Sequence, residues 1–473
     1  MNHLVWLRED LRTEDNHALH HASQQGHAVI AAYVIDTKMW QKHHIAACQV
    51  EFILRALKNL SVDLERLNIS LKIIQAKGTQ AAANALHQLA TQHDCTQLFF
   101  NKQYEVNEKK RDAVITDYFQ QRHISVNSYD DQVIFSPGTI LTNNNTPYTV
   151  FTPFKKKWYE AYRNTKISLL PQPNKQKTLV AAPDDVPDSI AGFHSTIDQN
   201  NWPASEAQAL GSLDEFIEQK ITAYKEDRDI PSVNGTSRIS VYLATGLLSA
   251  HQCIKRALSV NKHQLDSGNP GITTWISEII WREFYKHILY HFPRVSQHQP
   301  FQLKTKRLQW MQNEVHFQAW CKGQTGIPIV DAAMRQLNQT GWMHNRCRMI
   351  VAMFLTKNLF LDWRLGEQYF MQHLIDGDLA ANNGGWQWSA STGTDAAPYF
   401  RIFNPVSQSE RFDPDGDYIR QYCPELADID NKSIHDPHNR LPDLLAGMLD
   451  YPKPIVDLKT TRKAAIEAFK ELG

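Results

Sequence analysis

A chain of 473 residues, 42% of them hydrophobic, can bury a large core and exceeds one average domain, so two or more domains are expected. Lysine plus arginine equals aspartate plus glutamate at 50 each, which excludes the global positive field of a protein that wraps nucleic acid but leaves room for a local basic face. The 6 cysteines form no CxxC pair, which argues against a disulfide framework, a zinc site or a thioredoxin-like motif and fits reduced thiols in the cytoplasm. At the N-terminus, MNHLVWLREDLRTEDN puts charges where a signal peptide needs apolar residues. No run of about 18 uncharged apolar residues occurs, so a soluble cytoplasmic chain with no membrane partner is expected.

Apolar or β-branched runs at 4–7, 29–35, 71–75 and 97–100 predict buried parallel strands, and helical periodicity at 48–67 and 78–93 lies between them. The alternation predicts a doubly wound α/β domain over 1–135. No GxGxxG follows the first strand, so dinucleotide binding of the usual kind is not expected there. Residues 136–204 are read as an inter-domain connection, because LLPQPNKQKTLVAAPDDVPDSIAG within it sustains neither helix nor strand. Over 205–473 strand signals nearly vanish, and helix-like segments at 213–228, 273–292, 330–340 and 346–361 predict an all-helical domain.

The densest polar constellation is in that second half. GWMHNRCRMI at 341–350, DWR at 362–364 and LIDGDLAANNGGWQWSASTGTDAAPYFRIFNP at 374–405 mix acids, amides, glycines and tryptophans that helix stability does not require. Asp376 and Asp378 bracket Gly377, and Asn382, Asn383 and a Gly-Gly pair follow. Such residues suit close approach of backbone to a flat, hydrogen-bonding ligand, with a polar surface loop as the alternative. Glu278, Trp281 and Arg282, at spacings of three and four, share one helical face and can line one cavity. For any one of the 12 tryptophans, core packing is the alternative.

With WLREDLR at 6–12, GTSRIS at 235–240, WISEIIWREFY at 275–285 and TGWMHNR at 340–346 added to the 374–405 segment, the chain resembles the photolyase and cryptochrome family from end to end. Within it, the bacterial class I members that split cyclobutane pyrimidine dimers are the nearest match. The resemblance implies an antenna chromophore on the N-terminal domain and a U-shaped FAD, active as FADH⁻, in the helical one. It implies FAD contacts from Tyr224, Thr236, Ser237, Arg238, Ile239, Ser240, Trp275, Arg282, Asn345, Arg348, Asp376, Gly377, Asp378 and Asn382. GTSRIS would meet the pyrophosphate, the aspartates the ribose and isoalloxazine edge, and Arg348 the charge of the reduced flavin.

The same resemblance implies that a dimer is flipped out of UV-damaged DNA, since chemistry on a stacked base is sterically blocked. Trp281 and Trp388 would stack on its bases, Glu278 would meet its carbonyl edge, and Asn345 and Met349 complete the catalytic set. DNA contacts fall to Glu278, Trp281, Arg282, Tyr285, Asn345, Arg346 and Arg401, and electron transfer to Trp386, Trp363 and Trp310. One electron from light-excited FADH⁻ would weaken the cyclobutane ring until both carbon–carbon bonds open.

Asn382 stands where plant cryptochromes usually carry aspartate and animal ones cysteine, and Asn345 and Met349 match the dimer-repairing pattern rather than the six-four one. FFNKQYEVNEKKRD at 99–112 resembles folate-binding members, with Asn107 and Glu108 as pterin contacts and His43 near them. YTVFTPFKKKW at 148–158 fits that subgroup, whereas 295–297 lacks the Cys-Lys pair of some folate-binding relatives. A 5,10-methenyltetrahydrofolate antenna is therefore expected over a deazaflavin. A monomer with no metal and no obligate protein partner is expected. The alternative within the family is a cryptochrome-type blue-light photoreceptor, against which the end at FKELG, without a long charged tail, is read. A flavin electron-transfer protein that does not use light, or a nucleotide-binding module, would have no reason to combine Glu278, Trp281 and Trp388.

Overall fold

The computed structural model describes residues 2–24 and 26–472. Its internal contacts separate two compact units, one of Met1–Thr222, Ser237–Ser296 and Ile375–Asp378, the other of Ala223–Thr236, Gln297–Leu374 and Leu379–Gly473.

The first unit is built on five parallel strands, β1 (Asn2–Leu7), β2 (Ala28–Asp36), β3 (Ser70–Ala76), β4 (Cys95–Asn101) and β5 (Ser125–Tyr129), in the order β3-β2-β1-β4-β5. Leu4, Trp6, Ile30, Ala32, Leu98 and Phe100 pack on one face with Leu86 and Leu89 of helix Thr79–Gln92 and Ile115 and Phe119 of helix Val106–Gln120. The alternate residues Val5, Leu7, Ala31 and Phe99 are buried too, as a parallel sheet covered on both faces requires. The order reverses between β3 and β4, and right-handed crossovers then send the connections to opposite faces, the doubly wound arrangement expected.

β5 was not expected from the sequence. It is an edge strand of polar residues, SVNSY, whose side chains are exposed or half-buried, so it carries no apolar alternation. Backbone pairing to residues 97–101 of β4 and the bond from Asn127 Nδ2 to Gln97 Oε1, 2.9 Å, hold it instead. The stretch 136–204 contains helix Phe151–Asn164, and the division into units does not fall at 204/205. Residues 237–296, with the long helix Pro270–His291, belong with the sheet, because long-range packing rather than local composition assigns them.

The second unit is helical. Helices Glu314–Lys322, Pro328–Thr340, Asn345–Met353, Trp363–His373 and Leu379–Ala390 surround a core that includes Trp320, Met334, Val351, Trp363, Phe370 and Trp386. The helix expected over 346–361 stops at Met353, and a π-turn at Phe354–Asn358 follows, where Lys357 Nζ turns inward to the Ala390 carbonyl (3.2 Å) and Ser391 Oγ (2.9 Å). The helix expected over 213–228 is broken into Glu206–Gln219, a 3₁₀ turn at Ile221–Ala223 and the short Tyr224–Asp227. Among the described residues no helix is long and apolar enough to cross a membrane.

Candidate functional site

The helix Pro270–His291 organises the candidate residues of the first unit. Asn269 caps it by accepting from Gly271 N (2.8 Å) and Ile272 N (3.1 Å), and Pro270 opens it where no N–H is needed. Trp275 is buried and its Nε1 donates to Ser237 Oγ at 3.2 Å, so it anchors the GTSRIS segment. Glu278 and Trp281, one turn further on, are half-buried, and Tyr285 follows with its ring 5.6 Å from that of Trp281. The Trp281 ring lies on Phe151 with centroids 3.6 Å apart and planes 10° from parallel. Arg282 donates to the carbonyls of Gln132 and Leu243.

Two charged residues of this helix escaped the sequence reading. Glu283 accepts from Ile134 N (2.7 Å), Phe135 N (3.1 Å) and Trp158 Nε1 (2.8 Å), and burial still pushes its carboxyl up to about 7. Lys286, 1% exposed, lies 3.0 Å from Asp378 Oδ2 and 3.8 Å from Glu105 Oε1. It therefore holds the Asp376–Gly377–Asp378 turn, which Gln49 Nε2 also binds through the Gly377 carbonyl at 2.9 Å. Asp376 is buried. A lysine and a glutamate inside an apolar helix give no local sign of their partners.

The three antenna candidates come together. Asn107 Nδ2 is 3.0 Å from His43 Nε2, and His43 Nδ1 is 3.3 Å from Glu108 Oε1. Burial, with the charge of Glu105 adding, raises the Glu108 carboxyl to about 8, and its Oε2 is buried without a hydrogen-bond partner. An acceptor of this kind fits the N–H edge of a pterin.

In the second unit Arg346 Nη2 pairs with Asp229 Oδ1 at 2.8 Å and its guanidinium lies 4.2 Å over Phe412, which ties segment 223–236 to the start of helix Asn345–Met353. In that segment Tyr224 is buried, Thr236 is half-buried, and the Gly235 backbone passes so close to Asp227 that a Cβ would lie 2.4 Å from its Cβ. His344 caps the helix, accepting from Arg346 N at 3.2 Å, and burial lowers its imidazole to about 4. Arg348 Nε donates to the Met343 carbonyl at 2.8 Å, Met349 is half-buried and Asn345 exposed. Asn382 Nδ2 donates to the Glu367 carbonyl at 2.9 Å. Glu367, 1% exposed, also accepts from Asn383 Nδ2 at 2.7 Å and meets His298 Nδ1 at 2.8 Å, which raises the pKa of His298. One N–H of the Asn382 amide is thus engaged, and its oxygen is an acceptor of the kind that suits the N5–H of a reduced flavin.

Trp386 and Trp363 are buried and Trp310 is half-buried at the edge of the same apolar cluster. The ring contacts of Trp386 run to Phe370 (5.0 Å) and to Trp320 (6.0 Å), a tryptophan not singled out from sequence, while Trp310 meets Phe360 at 5.0 Å. Trp388 is half-buried and Arg401 exposed. Of the GTSRIS residues assigned to the first unit, Ile239 is buried, Ser240 is exposed, and Arg238 has φ 53° with its guanidinium 4.5 Å over Trp202.

Residues 275–471 match the FAD binding domain of DNA photolyase, and residues 3–175 match DNA photolyase. The chain belongs to the DNA photolyase family. It is 46% identical over 469 residues to a deoxyribodipyrimidine photo-lyase of Salmonella typhimurium, with 99% of this chain and 98% of that one covered. A solved bacterial class III photolyase from Agrobacterium tumefaciens shares its fold with a TM-score of 0.85 at 34% identity, covering 100% of this chain and 97% of that one. A cryptochrome from Synechocystis sp. aligns with a TM-score of 0.89 at 27% identity, covering 99% of each.

Proposed function

We propose that this chain is a deoxyribodipyrimidine photo-lyase that uses light to split cyclobutane pyrimidine dimers in UV-damaged DNA. The observation that carries the reading is the end-to-end likeness, at 46% identity, to a protein of that name. The cryptochrome likeness is structural and lower in identity, at 27%, and Asn382 stands where plant cryptochromes usually carry aspartate and animal ones cysteine.

Reduced FAD held by these residues would supply, on absorbing light, the one electron that weakens the cyclobutane ring, and would receive it back once both carbon–carbon bonds have opened. The chain's own residues bind and position. Thr236, Ser237, Arg238, Ile239 and Ser240 serve the pyrophosphate, with Tyr224, Trp275 and Arg282 supporting them. Asp376, Gly377 and Asp378 serve the ribose and the isoalloxazine edge, with Lys286 offsetting their charge, and Arg348 offsets the charge of the reduced ring. Asn382 offers its amide oxygen at N5. Trp281 and Trp388 each present a ring to one base of the flipped dimer, Glu278 meets its polar edge, and Asn345 and Met349 complete the set. Tyr285, Arg346 and Arg401 join Glu278, Trp281, Arg282 and Asn345 in holding DNA. Trp386, Trp363 and Trp310 pass electrons inward to keep the flavin reduced. Residues 1–135 carry the antenna, read as methenyltetrahydrofolate on His43, Asn107 and Glu108, and residues within 205–473 bind FAD and DNA. The enzyme works as a cytoplasmic monomer.

The test is dimer loss from a thymine-dimer oligonucleotide under blue or near-ultraviolet light with the flavin pre-reduced. Repair in light and none in darkness is expected. Flavin-loaded protein that repairs nothing in light overturns the proposal in favour of the photoreceptor.

A further inference from the structure

Helix Phe151–Asn164 lies in a stretch that reads as a connection, yet it is keyed to the helix that carries Glu278 and Trp281. Phe151, Phe154 and Trp158 form a stripe at i, i+3 and i+7. Phe154 has its ring 5.2 Å from that of Phe284 and 5.1 Å from that of His287, and Trp158 Nε1 donates to Glu283 Oε1 at 2.8 Å. Lys155 Nζ lies 3.4 Å from Ser277 Oγ. At the head of the stripe Phe151, 5% exposed, covers Trp281, and Phe284 meets the indole edge-on at 80°.

We propose that Phe151 is a positioning residue for Trp281, covering one face of the indole and holding the ring so that its other face is offered to a base of the flipped dimer. The inference rests on the reading of Trp281 as a base-stacking residue. Two features of the geometry support it. Aromatic pairs left to their own quadrupoles prefer offset or edge-on contact, so a near-parallel pair with centroids 3.6 Å apart is set by the two helices rather than by the attraction of the rings. An indole already pinned in one orientation also loses less rotamer freedom when a base stacks on it, which raises affinity without any new contact.

The experiment uses full-length, FAD-loaded protein. Phe151→Leu and Phe151→Met remove the flat ring and Phe151→Tyr keeps it. Affinity is measured for dimer-containing and undamaged oligonucleotides at two salt concentrations, together with flavin content and the urea midpoint. The leucine and methionine variants should bind the dimer roughly three- to tenfold more weakly while undamaged DNA binds as before, and the tyrosine variant should stay within about twofold. In a Trp281→Leu background, Phe151→Leu should add no further loss. An unchanged dimer-to-undamaged ratio in the leucine and methionine variants, with a fall in Trp281→Leu, overturns the positioning role alone. So do fully additive losses in the double variant. An unchanged ratio in Trp281→Leu itself strikes the base-stacking reading and the inference with it.

Discussion

The antenna site proposed at Glu108 should respond to pH. Its carboxyl stands at about 8 because burial and the neighbouring Glu105 both disfavour the charge. A pterin edge made of N–H groups binds the carboxylate, so antenna affinity should rise with pH and level off above about 8, falling at most tenfold per unit below that. Folate titrations followed by near-ultraviolet absorbance across this range check it, with Glu108→Gln expected to be weak and flat. An affinity of the native protein that ignores pH would take Glu108 out of the pocket. Glu278 belongs to the same scale. Glu278→Ala should weaken discrimination of dimer over undamaged DNA by roughly 1.5–3 kcal/mol while leaving the salt-sensitive, phosphate-driven affinity in place. Competition binding with both oligonucleotides reads the difference. That Glu278, Trp281 and Arg282 ride one helix was legible, because their spacing is a local property of the chain. Lys286 on the same helix was not, since its partners Asp378 and Glu105 are remote in sequence.

Elements decide where the tryptophans sit. Gly366, inside helix Trp363–His373, faces Trp386 so closely that a Cβ would lie 2.1 Å from Trp386 Cη2. Gly366→Ala must therefore displace a buried indole and should cost about 1–3 kcal/mol of stability through overpacking. It should also slow photoreduction of oxidised flavin. Trp386→Phe should block that photoreduction and spare repair by chemically pre-reduced enzyme, because the proposed relay would feed the flavin and not the substrate. Paired assays of photoreduction and single-turnover repair separate the two. Loss of repair in the pre-reduced phenylalanine variant would move Trp386 out of the relay. Periodicity found the helices on which these residues ride, but it could not show that Trp320 shares a ring contact with Trp386. It also missed β5 and helix Phe151–Asn164, the first because an edge strand needs no apolar face, the second because Pro- and Asn-rich flanks hid its stripe.

Across the whole molecule, burial writes two opposite pH dependences into stability. The His344 imidazole is held near 4 against an ordinary 6.5, so its contribution is complete above pH 6.5 and is lost as pH falls towards 4. The Glu283 carboxyl is raised to about 7 from 4.5, so its contribution is complete below pH 4.5 and is lost as pH rises through 7. Relative to His344→Gln, the native protein should therefore lose up to roughly 3 kcal/mol on acidification, and relative to Glu283→Gln it should gain a similar amount. Urea unfolding of all three proteins across this range gives both slopes, and slopes of the same sign would contradict the assignment.

Residue type, spacing and periodicity act over a few positions along the chain. They were enough to read four of the five strands, the helix through 273–292 and the family to which the whole belongs. Contacts between residues far apart in the sequence leave no such trace. The placement of residues 237–296 with the sheet, the Phe151–Trp281 stack and the Lys286–Asp378 pair therefore emerge only when the chain is packed, because close packing and the pairing of buried charge are settled between surfaces rather than within a segment.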